Sequence, residues 1–443
     1  MIVTDRFRDG DPTNDLDAIP GRPDWWQGGD LRGVIDELDH IRSLGMTAIW
    51  ITPVALQTRG GYHGYWTLDP YRIDPHLGDM ATLKELVATA HRKGLKVVLD
   101  IVLNHVGYGH PWLSERPEWF HPRCTVLFSD QRSVEDCWLA GLPDLNTEDL
   151  AVRQYLIDWS TWLLRETDVD GLRLDAARHL PLAFIRDWSA AMRREHSGVW
   201  LVGEVFSADH AYQAPYLAAG LDAVADFRTQ EDVQRGLSFR GDLARLVEMV
   251  DDPGALPPGA RATFIDEHDL PRFVGSGPTT AEQRARLVQA IAYLFTMPGI
   301  PVLYYGTEVA LPGGADSDDR RPMPWGVRFW DRAADGADVL AATRALATAR
   351  RDHPVLRAGG LVVLDASATE LAYARVLGGD AAVIVMNGDA TASRKIAVDV
   401  RSIVAGTSSI RPVLAGPRGD LRDRTLTVTL PARGVQVWLF EPR

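Results

Sequence analysis

The sequence predicts an α/β fold, namely a (β/α)8 TIM barrel with a loop-rich insertion after its third strand and a C-terminal antiparallel β domain. Eight short segments rich in β-branched or aliphatic residues recur through the first three quarters of the 443-residue chain. Amphipathic stretches with helical spacing separate them, and this alternation predicts parallel strands closed into a barrel. After about residue 357 the segments become short and alternating, which is typical of an antiparallel sheet.

The predicted barrel strands are short apolar runs. They are MIVT (1–4), TAIWIT (47–52), LKVVLDIV (95–102), GLRLDA (171–176), VWLVGEV (199–205), LDAVADF (221–227), RATFID (261–266) and GIPVLYYG (299–306). Helices are predicted over 31–45 and 80–94, each ending in a glycine, as helix C-termini often do. A last helix is predicted over 339–353.

Domain boundaries follow from the same pattern. The interval between the third and fourth strands is too long for one helix, and residues 105–148 are rich in Trp, Pro, His and Asp without clear periodicity. We therefore expect an inserted domain over 105–148 and a barrel formed by 1–104 and 149–354. A C-terminal β-sandwich domain is expected over 355–443.

The composition is that of an acidic globular protein. A net charge of -13 and a pI of about 5.4 argue against binding to nucleic acid or to an anionic membrane surface, and favour a neutral substrate. The longest apolar run, 291–306, is broken by two prolines and a glycine, so no membrane span is expected. No charged-then-apolar leader precedes the first strand, which favours a cytoplasmic protein, or a secreted one if the N-terminus is incomplete.

Two opposite charges lie inside the predicted strand 171–176. Side chains of a strand alternate between faces, so Arg173 and Asp175 share one face while Leu172 and Leu174 point to the other. One interpretation is an ion pair that only satisfies its own buried charges. The other is that both charges face a cleft, where the arginine keeps the aspartate ionised as a nucleophile.

Polar residues also follow the other predicted strands. The active site of such a barrel lies at the C-terminal ends of its strands. Asp175, Glu204 and Asp269 are therefore expected at one mouth, together with His105 and His268. Two carboxylates that flank a scissile bond are the machinery of glycoside hydrolysis, one as the acid and the other as the nucleophile or base.

Seven motifs in order give the sequence a family resemblance. DIVLNHVG, GLRLDAARH, GEVF and FIDEHD resemble the four signature regions of the α-amylase family of glycoside hydrolases. GMTAIWITPV, GLPDLN and GIPVLYYGTEV look like accessory motifs of that family. The resemblance runs from about residue 3 to residue 326, and it implies a retaining mechanism.

The resemblance assigns catalytic roles by position. Asp175 matches the nucleophile, and Glu204 matches the general acid/base. Asp269 matches a third carboxylate that holds the 2- and 3-hydroxyls of the sugar and strains its ring. Arg173 matches the arginine beside the nucleophile, which is expected to keep Asp175 anionic while Glu204 stays protonated.

Sugar-binding residues are implied in the same way. His105 and His268 match histidines at the cleavage subsite. Tyr65 in YHGYW matches an aromatic platform under that sugar. The segment ADSDDRR (315–321) places Asp316 and Arg320 at the next sugar towards the non-reducing side.

The resemblance also implies calcium, with one site expected and a second as an alternative to a solvated acidic turn. Calcium prefers carboxylate, amide and carbonyl oxygens. The first set consists of Asn104, Asp144, the backbone carbonyl of His179 and, within VEDCW (134–138), Glu135. The second set consists of Asp9, Asp11, Asn14, Asp15, the carbonyl of Gly28 and Asp30.

Two cysteines, Cys124 and Cys137, lie close together in the sequence. The composition alone leaves two reduced thiols and a disulfide equally open. The resemblance of the VEDCW segment to an amylase segment favours a bridge between them.

The expected activity is hydrolysis of α-1,4-glucosidic bonds in starch or maltooligosaccharides. The alternatives are a cyclodextrin or maltooligosaccharide hydrolase, an α-1,4-glucanotransferase, and a catalytically silent relative that only binds sugars. Chain-length preference, endo or exo action and oligomeric state leave no signal in the sequence.

Overall fold

The computed structural model describes residues 1–326, 337–404 and 408–442 of the chain. The chain divides into two compact units, and each is described here by itself. The first unit comprises Met1–Arg42, Thr47–Ala225 and Arg320–Met323. The second unit comprises Ser43–Met46, Asp226–Asp319 and Pro324–Arg443.

The first unit is built on parallel strands. In chain order the strands are β1 (Ala48–Ile51), β2 (Ala55–Gln57), β3 (Thr67–Ile73), β4 (Lys96–Ile101), β5 (Gly171–Leu174), β6 (Trp200–Gly203) and β7 (Ala223–Asp226). The parallel neighbours follow the order β1-β4-β5-β6-β7, while β2 and β3 form an antiparallel pair. β5 is buried at every position, as expected for a parallel strand that is covered on both faces.

The first predicted strand is wrong in extent. Only Ile2 pairs in parallel, with Ile51, and its backbone exchanges hydrogen bonds with Trp50 and Thr52. The chain then turns into the short helix Thr4–Phe7. Asp5 explains this turn, because its buried carboxylate accepts backbone N–H groups from residues 27 and 28 and thereby draws the chain out of the strand.

Helices separate the parallel strands of the first unit. They are Leu31–Asp36, Leu38–Ser43, Met80–Arg92, Leu150–Thr167, Leu182–Glu195 and His210–Ala218. The helix predicted over 31–45 is thus two short helices, because Glu37 leaves the helical backbone geometry. The helix predicted over 80–94 is confirmed, and the side chain of Asp79 caps it by accepting the N–H of Thr82.

The segment 105–148 is irregular, as expected. Its helical turns are Trp112–Glu115, Pro117–Trp119, Gln131–Asp136 and Leu139–Gly141. Two isolated bridges, His105 with Asp144 and Phe120 with Leu145, hold its two ends together. The sulfur atoms of Cys124 and Cys137 lie 2.04 Å apart.

The second unit contains the parallel pair β8 (Arg261–Thr263) and β9 (Ile300–Pro301). Its helices and 3-10 segments are Phe227–Leu237, Leu243–Asp251, Pro258–Ala260, Ala281–Thr296, Thr307–Val309, Asp318–Arg320, Ala337–Asp352 and Pro354–Ala358, the last residue of Asp318–Arg320 belonging to the first unit. The helix predicted over 339–353 is therefore confirmed.

Antiparallel sheets end the second unit. The strands are β10 (Gly360–Ala366), β11 (Glu370–Leu377), β12 (Asp380–Asn387), β13 (Arg394–Asp399), β14 (Ser408–Pro412), β15 (Asp420–Arg422), β16 (Thr425–Leu430) and β17 (Val435–Pro442). They form one sheet in the order β10-β11-β12-β17-β14 and a second in the order β13-β16-β15.

β12 explains how these sheets pack. Val383 and Val385 join a core shared with Val398 and Val428 of the smaller sheet. Ile384 and Met386 join a different core that includes residues of the helix Ala281–Thr296. The larger sheet is therefore covered on both faces, which accounts for the run AAVIVM without polar alternation.

The domain boundaries expected at 104/105, 148/149 and 354/355 stay a prediction. The division into two units falls elsewhere, at residue 225 and around 320–323. No helix in the described part of the chain combines the length and the apolar character that a membrane span needs.

Candidate active site

Arg173 forms the centre of the site in the first unit. It lies on β5 directly beside Asp100 of β4 in the register of the two strands. Its Nη1 donates to both carboxylate oxygens of Asp100 at 2.9 Å and to Oδ1 of Asp175 at 2.6 Å. Its Nη2 lies 2.9 Å from Oε2 of Glu204. One arginine therefore binds three carboxylates.

The ends of the strands bring these groups together. Asp175 directly follows β5, and its N–H donates to the carbonyl of Ile101 at the end of β4. Glu204 directly follows β6, and its N–H donates to the carbonyl of Leu174. The backbone ladder thus continues one residue beyond the named strands, which places both carboxylates on the face that Arg173 occupies.

Burial makes this charge arrangement strong. The side chain of Arg173 is only 3% exposed. Burial by itself lowers the pKa of Arg173, but Asp100 and Glu204 outweigh this effect and raise it well above its usual value. The arginine is therefore a permanent cation among three acids, and it does more than satisfy Asp175 as a simple ion pair.

The contacts of Glu204 differ from those that the sequence predicts. The sequence predicts an arginine that favours the anion of Asp175 alone, whereas Arg173 contacts Glu204 as well. Oε2 of Glu204 also accepts the N–H of Ala176 at 3.0 Å. Ala176 has a left-handed backbone (φ 47°), and this turn follows β5 directly. The arginine by itself therefore does not give the two carboxylates different environments.

Tyr65 and His105 border the charged cluster. The hydroxyl of Tyr65 donates to Oδ2 of Asp100 at 2.9 Å, which fixes the direction of its ring. Gly64 has φ 94°, and a Cβ there would lie 2.3 Å from the carbonyl oxygen of Pro53, so only glycine fits the turn before Tyr65. Nε2 of His105 lies 3.2 Å from the carbonyl oxygen of Tyr65. Burial lowers the pKa of His105, although the charge of Asp175 opposes this shift.

Arg320 also belongs to the first unit. Its Nη1 donates to the hydroxyl of Tyr62 at 3.3 Å. The guanidinium of Arg6 lies 3.9 Å from the centre of the Tyr62 ring. Tyr62 is thus held between two arginines, three residues before Tyr65.

The second unit carries Glu267, His268 and Asp269. Nδ1 of His268 lies 2.8 Å from Oε2 of Glu267, and its Nε2 lies 3.5 Å from Oδ2 of Asp269. Nearby in sequence, buried Asp266 accepts the N–H of Phe273 and the hydroxyl of Thr307. Asp269 is exposed, as is Asp316, whereas His268 is buried.

Two members of the first expected calcium set, Asn104 and Asp144, meet beside His121. Asn104 donates to Oδ1 of Asp144 at 3.0 Å, and Oδ2 of Asp144 lies 2.7 Å from Nδ1 of His121. Single ligand atoms of His121, Asp136 and Glu148 lie within 4.8 Å of one another. Burial lowers the pKa of His121, but Asp144 and Glu148 raise it overall.

Of the other two expected ligands, Glu135 accepts from Gln131 at 2.7 Å, and His179 contacts the residue that precedes Glu135. Nδ1 of His179 lies 2.8 Å from the carbonyl oxygen of Val134, the residue before Glu135. Burial raises the pKa of Glu135, and the charges of Asp136 and Glu148 raise it further. The donors are mainly carboxylate and amide oxygens with acids in excess, so the residues fit the chemistry of calcium.

The second expected set also has acids in excess. Burial raises the pKa of Asp15, and its acidic neighbours Asp30 and Asp11 raise it further. Oδ1 of Asp15 is buried without a hydrogen-bond partner, and a Cβ on Gly28 would lie 2.4 Å from it. Burial, Asp15 and Asp11 likewise raise the pKa of Asp9. This cluster of unneutralised acids fits a divalent cation.

Asn14 and Asp30 add detail to the second set. The amide oxygen of Asn14 lies 3.0 Å from the carbonyl oxygen of Asp11 and 3.1 Å from that of His76, an arrangement that a cation or rotation of the amide would stabilise. The carboxylate of Asp30 accepts backbone N–H groups from residues 10, 11 and 33. It therefore caps the helix Leu31–Asp36, a role that the sequence did not predict.

Three residues of these sites received no role from the sequence. Asp100 is a polar residue near the end of a predicted strand, which was the signal for it, and the register of β4 and β5 places it beside Arg173. The sequence pattern around Trp50 predicts only a core residue of β1, whereas in the structure its Nε1 donates to Asp100 at 3.3 Å. His121 lies in an aperiodic loop, where spacing says nothing about contacts.

Comparisons with known proteins agree with this geometry. A family model described as "Alpha amylase, catalytic domain" matches residues 1–123 and 134–357. A Beta/alpha-amylase of Paenibacillus polymyxa is 31% identical over 99% of this chain, which spans 37% of that protein. A cyclomaltodextrinase of Geobacillus thermopakistaniensis is 30% identical over 100% of this chain and 76% of its own length.

A solved structure is similar over the whole chain. The crystal structure of an Anoxybacillus α-amylase has a TM-score of 0.90 and 34% identity, covering 100% of this chain and 97% of its own. This similarity confirms the fold class that the sequence predicts.

The charge cluster predicts a measurable loss of stability. Asp100→Asn removes the carboxylate that binds Arg173 twice but leaves Asp175 and Glu204 to balance its charge, so the cost is that of a charged hydrogen bond, about 1.5–3 kcal/mol. We expect urea denaturation to show a loss of that order. Glu85→Gln is the control, because its pair with Arg32 is exposed and is worth at most about 1 kcal/mol. Equal losses in the two variants would contradict the central place of Arg173.

Proposed function

Because the chain belongs to the α-amylase family of glycoside hydrolases, we propose that it hydrolyses α-1,4-glucosidic bonds in starch and maltooligosaccharides with retention of configuration. The observation that carries this proposal is the pair of carboxylates, Asp175 and Glu204, at the ends of two adjacent strands, both bound to Arg173. Two carboxylates on one face are what a double displacement requires.

In the proposed first step, Asp175 attacks the anomeric carbon of the sugar. Oδ1 of Asp175 accepts from Arg173, which leaves Oδ2 as the attacking atom. The bond between the anomeric carbon and the glycosidic oxygen breaks as Glu204 transfers its proton to that oxygen. The products of this step are a glycosyl ester on Asp175 and the free leaving sugar.

The proton of Glu204 is assigned to Oε1. Oε2 already accepts from Ala176 and contacts Arg173, so a proton there would lose both interactions. In the second step the Glu204 carboxylate removes a proton from water. The resulting oxygen attacks the anomeric carbon, the ester bond to Asp175 breaks, and Glu204 is protonated again.

Substrate binding is proposed for the residues around the cluster. Tyr65 offers its ring to the apolar face of a sugar, and its bond to Asp100 supports that ring. His105 is held neutral by burial and can hydrogen-bond a sugar hydroxyl. Arg320 is proposed for the adjacent sugar. The roles of Asp269, His268 and Asp316 rest on the family resemblance alone.

Two calcium ions are proposed for the first unit. Asn104, Asp144, Glu135 and the carbonyl of His179 would hold one ion. Asp9, Asp11, Asn14, Asp15 and the carbonyl of Gly28, with Asp30 ordering their loop, would hold the other. When bound, each ion would neutralise a group of acids and so stabilise the loops that carry them. No step of the reaction involves either ion.

The products of maltoheptaose test the proposed function. Chromatography over time should show only shorter maltooligosaccharides, and the earliest products should show whether cleavage is internal or terminal. β-Cyclodextrin is the second substrate, because a cyclomaltodextrinase is among the relatives. Longer or cyclic products would indicate a glucanotransferase, and no change in either substrate would contradict hydrolysis of these glucans.

Glu204→Gln should abolish hydrolysis while leaving sugar binding intact. The amide keeps the shape of the side chain but has no proton to transfer, and general acid–base catalysis contributes about 10²–10⁴-fold. We expect kcat to fall by at least that factor, with maltoheptaose affinity by calorimetry changed by less than about threefold. Exposed Glu195→Gln is the control and should keep the turnover of the unmodified protein. Normal turnover in Glu204→Gln would contradict the assignment of Glu204 as the general acid/base.

Removal of calcium should lower the melting temperature. Excess EDTA would remove the ions, so that the acids of each site would repel one another. Added calcium should restore the original melting temperature. Elemental analysis should find two calcium ions per chain, with one lost in Asp15→Ala and one in Asp144→Ala. The exposed change Glu85→Gln should keep both. An unchanged melting curve in EDTA and a protein without bound calcium would refute both sites.

We also propose that Cys124 and Cys137 form a disulfide in the purified protein. Alkylation without reductant should leave both thiols unmodified, and reduction should then expose two. Mass spectrometry of the intact chain measures the number of alkylated thiols directly. Complete alkylation without reductant would show that the thiols are free.

A further inference from the structure

A cavity of about 580 Å³ lies in the second unit at the start of β8. Arg261 begins that strand and lines the cavity, whereas Glu267, His268 and Asp269 follow the other end of the same strand. The walls come from the segment 249–259, the end of the helix Ala281–Thr296, and the chain from Arg357 to Leu361. The cavity therefore has no part in the proposed hydrolysis.

Positive charge dominates the lining of this cavity. Arg261, Arg357 and Arg375 all line it. Arg350 lies directly behind Arg375, since both donate to the carbonyl oxygen of Leu356, at 2.8 and 3.0 Å. Among the lining residues that the structure describes, the one acid is Asp252, which forms an ion pair with Arg228, and the chain as a whole has a net charge of -13.

Carboxylates do not neutralise most of this cluster. Arg350 and Arg375 donate only to backbone carbonyls, and within the described residues neither they nor Arg357 contacts a carboxylate. Burial, together with the positive charges of the adjacent Arg375 and Arg357, lowers the pKa of Arg350 to about 10. Several guanidinium groups therefore share a site that has a deficit of negative charge.

Two of the lining arginines also have N–H groups that do not donate to an acceptor. Arg261 is only 6% exposed, yet its Nε has no hydrogen-bond partner and its Nη1 has the thioether sulfur of Met249 as its nearest acceptor, at 2.9 Å. Buried Asp226 accepts from the same nitrogen at 3.4 Å and forms an ion pair with Arg261, and Nη2 donates to the carbonyl oxygen of Pro298 at 3.1 Å, so Nε is the nitrogen of this side chain that lacks a partner. Arg357 lies exposed at the rim and uses only Nη1, for the carbonyls of residues 350 and 351. A buried donor without an acceptor is costly, so a bound anion would be favoured.

The remaining lining is mainly apolar. It includes Met249, Met297, Pro257, Pro258 and Pro298. This volume lies in the range of small-molecule sites, which combine apolar walls with a few polar groups. We infer that the cavity is a binding site for a small organic anion, a phosphate or carboxylate group carried on an apolar or ring-shaped body.

Calorimetry with three probes tests the ligand chemistry. Phenyl phosphate combines the charge with an apolar ring, inorganic phosphate has only the charge, and benzyl alcohol has only the ring. We expect saturable one-to-one binding of phenyl phosphate, at least about tenfold weaker binding of inorganic phosphate, and none of benzyl alcohol. Equal binding of phenyl phosphate and benzyl alcohol, or no saturable binding of phenyl phosphate, would overturn the inference.

Two variants locate the binding in this cavity. Arg357→Gln removes a rim cation at an exposed position and should weaken phenyl phosphate binding by about tenfold. Gly259→Phe adds a large side chain at a lining residue without changing a charge, since a Cβ at Gly259 meets nothing within 4 Å, and it should weaken binding. Arg401→Gln removes an exposed arginine elsewhere and should bind like the unmodified protein. Binding that survives both cavity variants would refute the site, and melting curves will show that each variant is folded.

Discussion

The burial of Arg173 is the constraint on which the site depends. A guanidinium that is almost fully removed from water must be matched by carboxylates, and Asp100, Asp175 and Glu204 supply them from three adjacent strand ends. The cost of burying these charges is offset only if their geometry is nearly ideal. The strand ladder supplies that geometry, because β4, β5 and β6 are held in register by backbone hydrogen bonds.

The same constraint connects stability with the proposed chemistry. An arginine shared between Asp175 and Glu204 binds one oxygen of each, and the proposed mechanism uses the other oxygen of each. Asp100 matters because it balances the charge of Arg173 and also fixes the ring of Tyr65. Asp100, which has no proposed contact with the substrate, thereby positions Arg173 and Tyr65.

Unbalanced charge recurs elsewhere in the molecule with opposite signs. In the first unit, several acids share His121, and Asp15 has a buried oxygen without a hydrogen-bond partner, an arrangement that fits bound calcium. In the second unit, the arginines of the cavity lack sufficient negative charge, which fits a bound anion. In both cases, backbone groups hold charged side chains in place. A backbone N–H binds the carboxylate of Asp30, and a backbone carbonyl oxygen accepts from Arg375.

The sequence by itself determined the fold class and seven of the eight barrel strands, because the alternation of apolar runs with helical stretches is a local property of the chain. Its strand ends and its family resemblance also singled out Asp175 and Glu204. It did not determine the first strand, since Asp5 leaves the strand for backbone donors some twenty residues away. Nor did it show that Arg173 contacts Glu204, that Asp100 completes the cluster, or that His121 meets Asp144. Only the tertiary structure decided these contacts, because each joins residues far apart in the chain and depends on the register and the loops that bring them together.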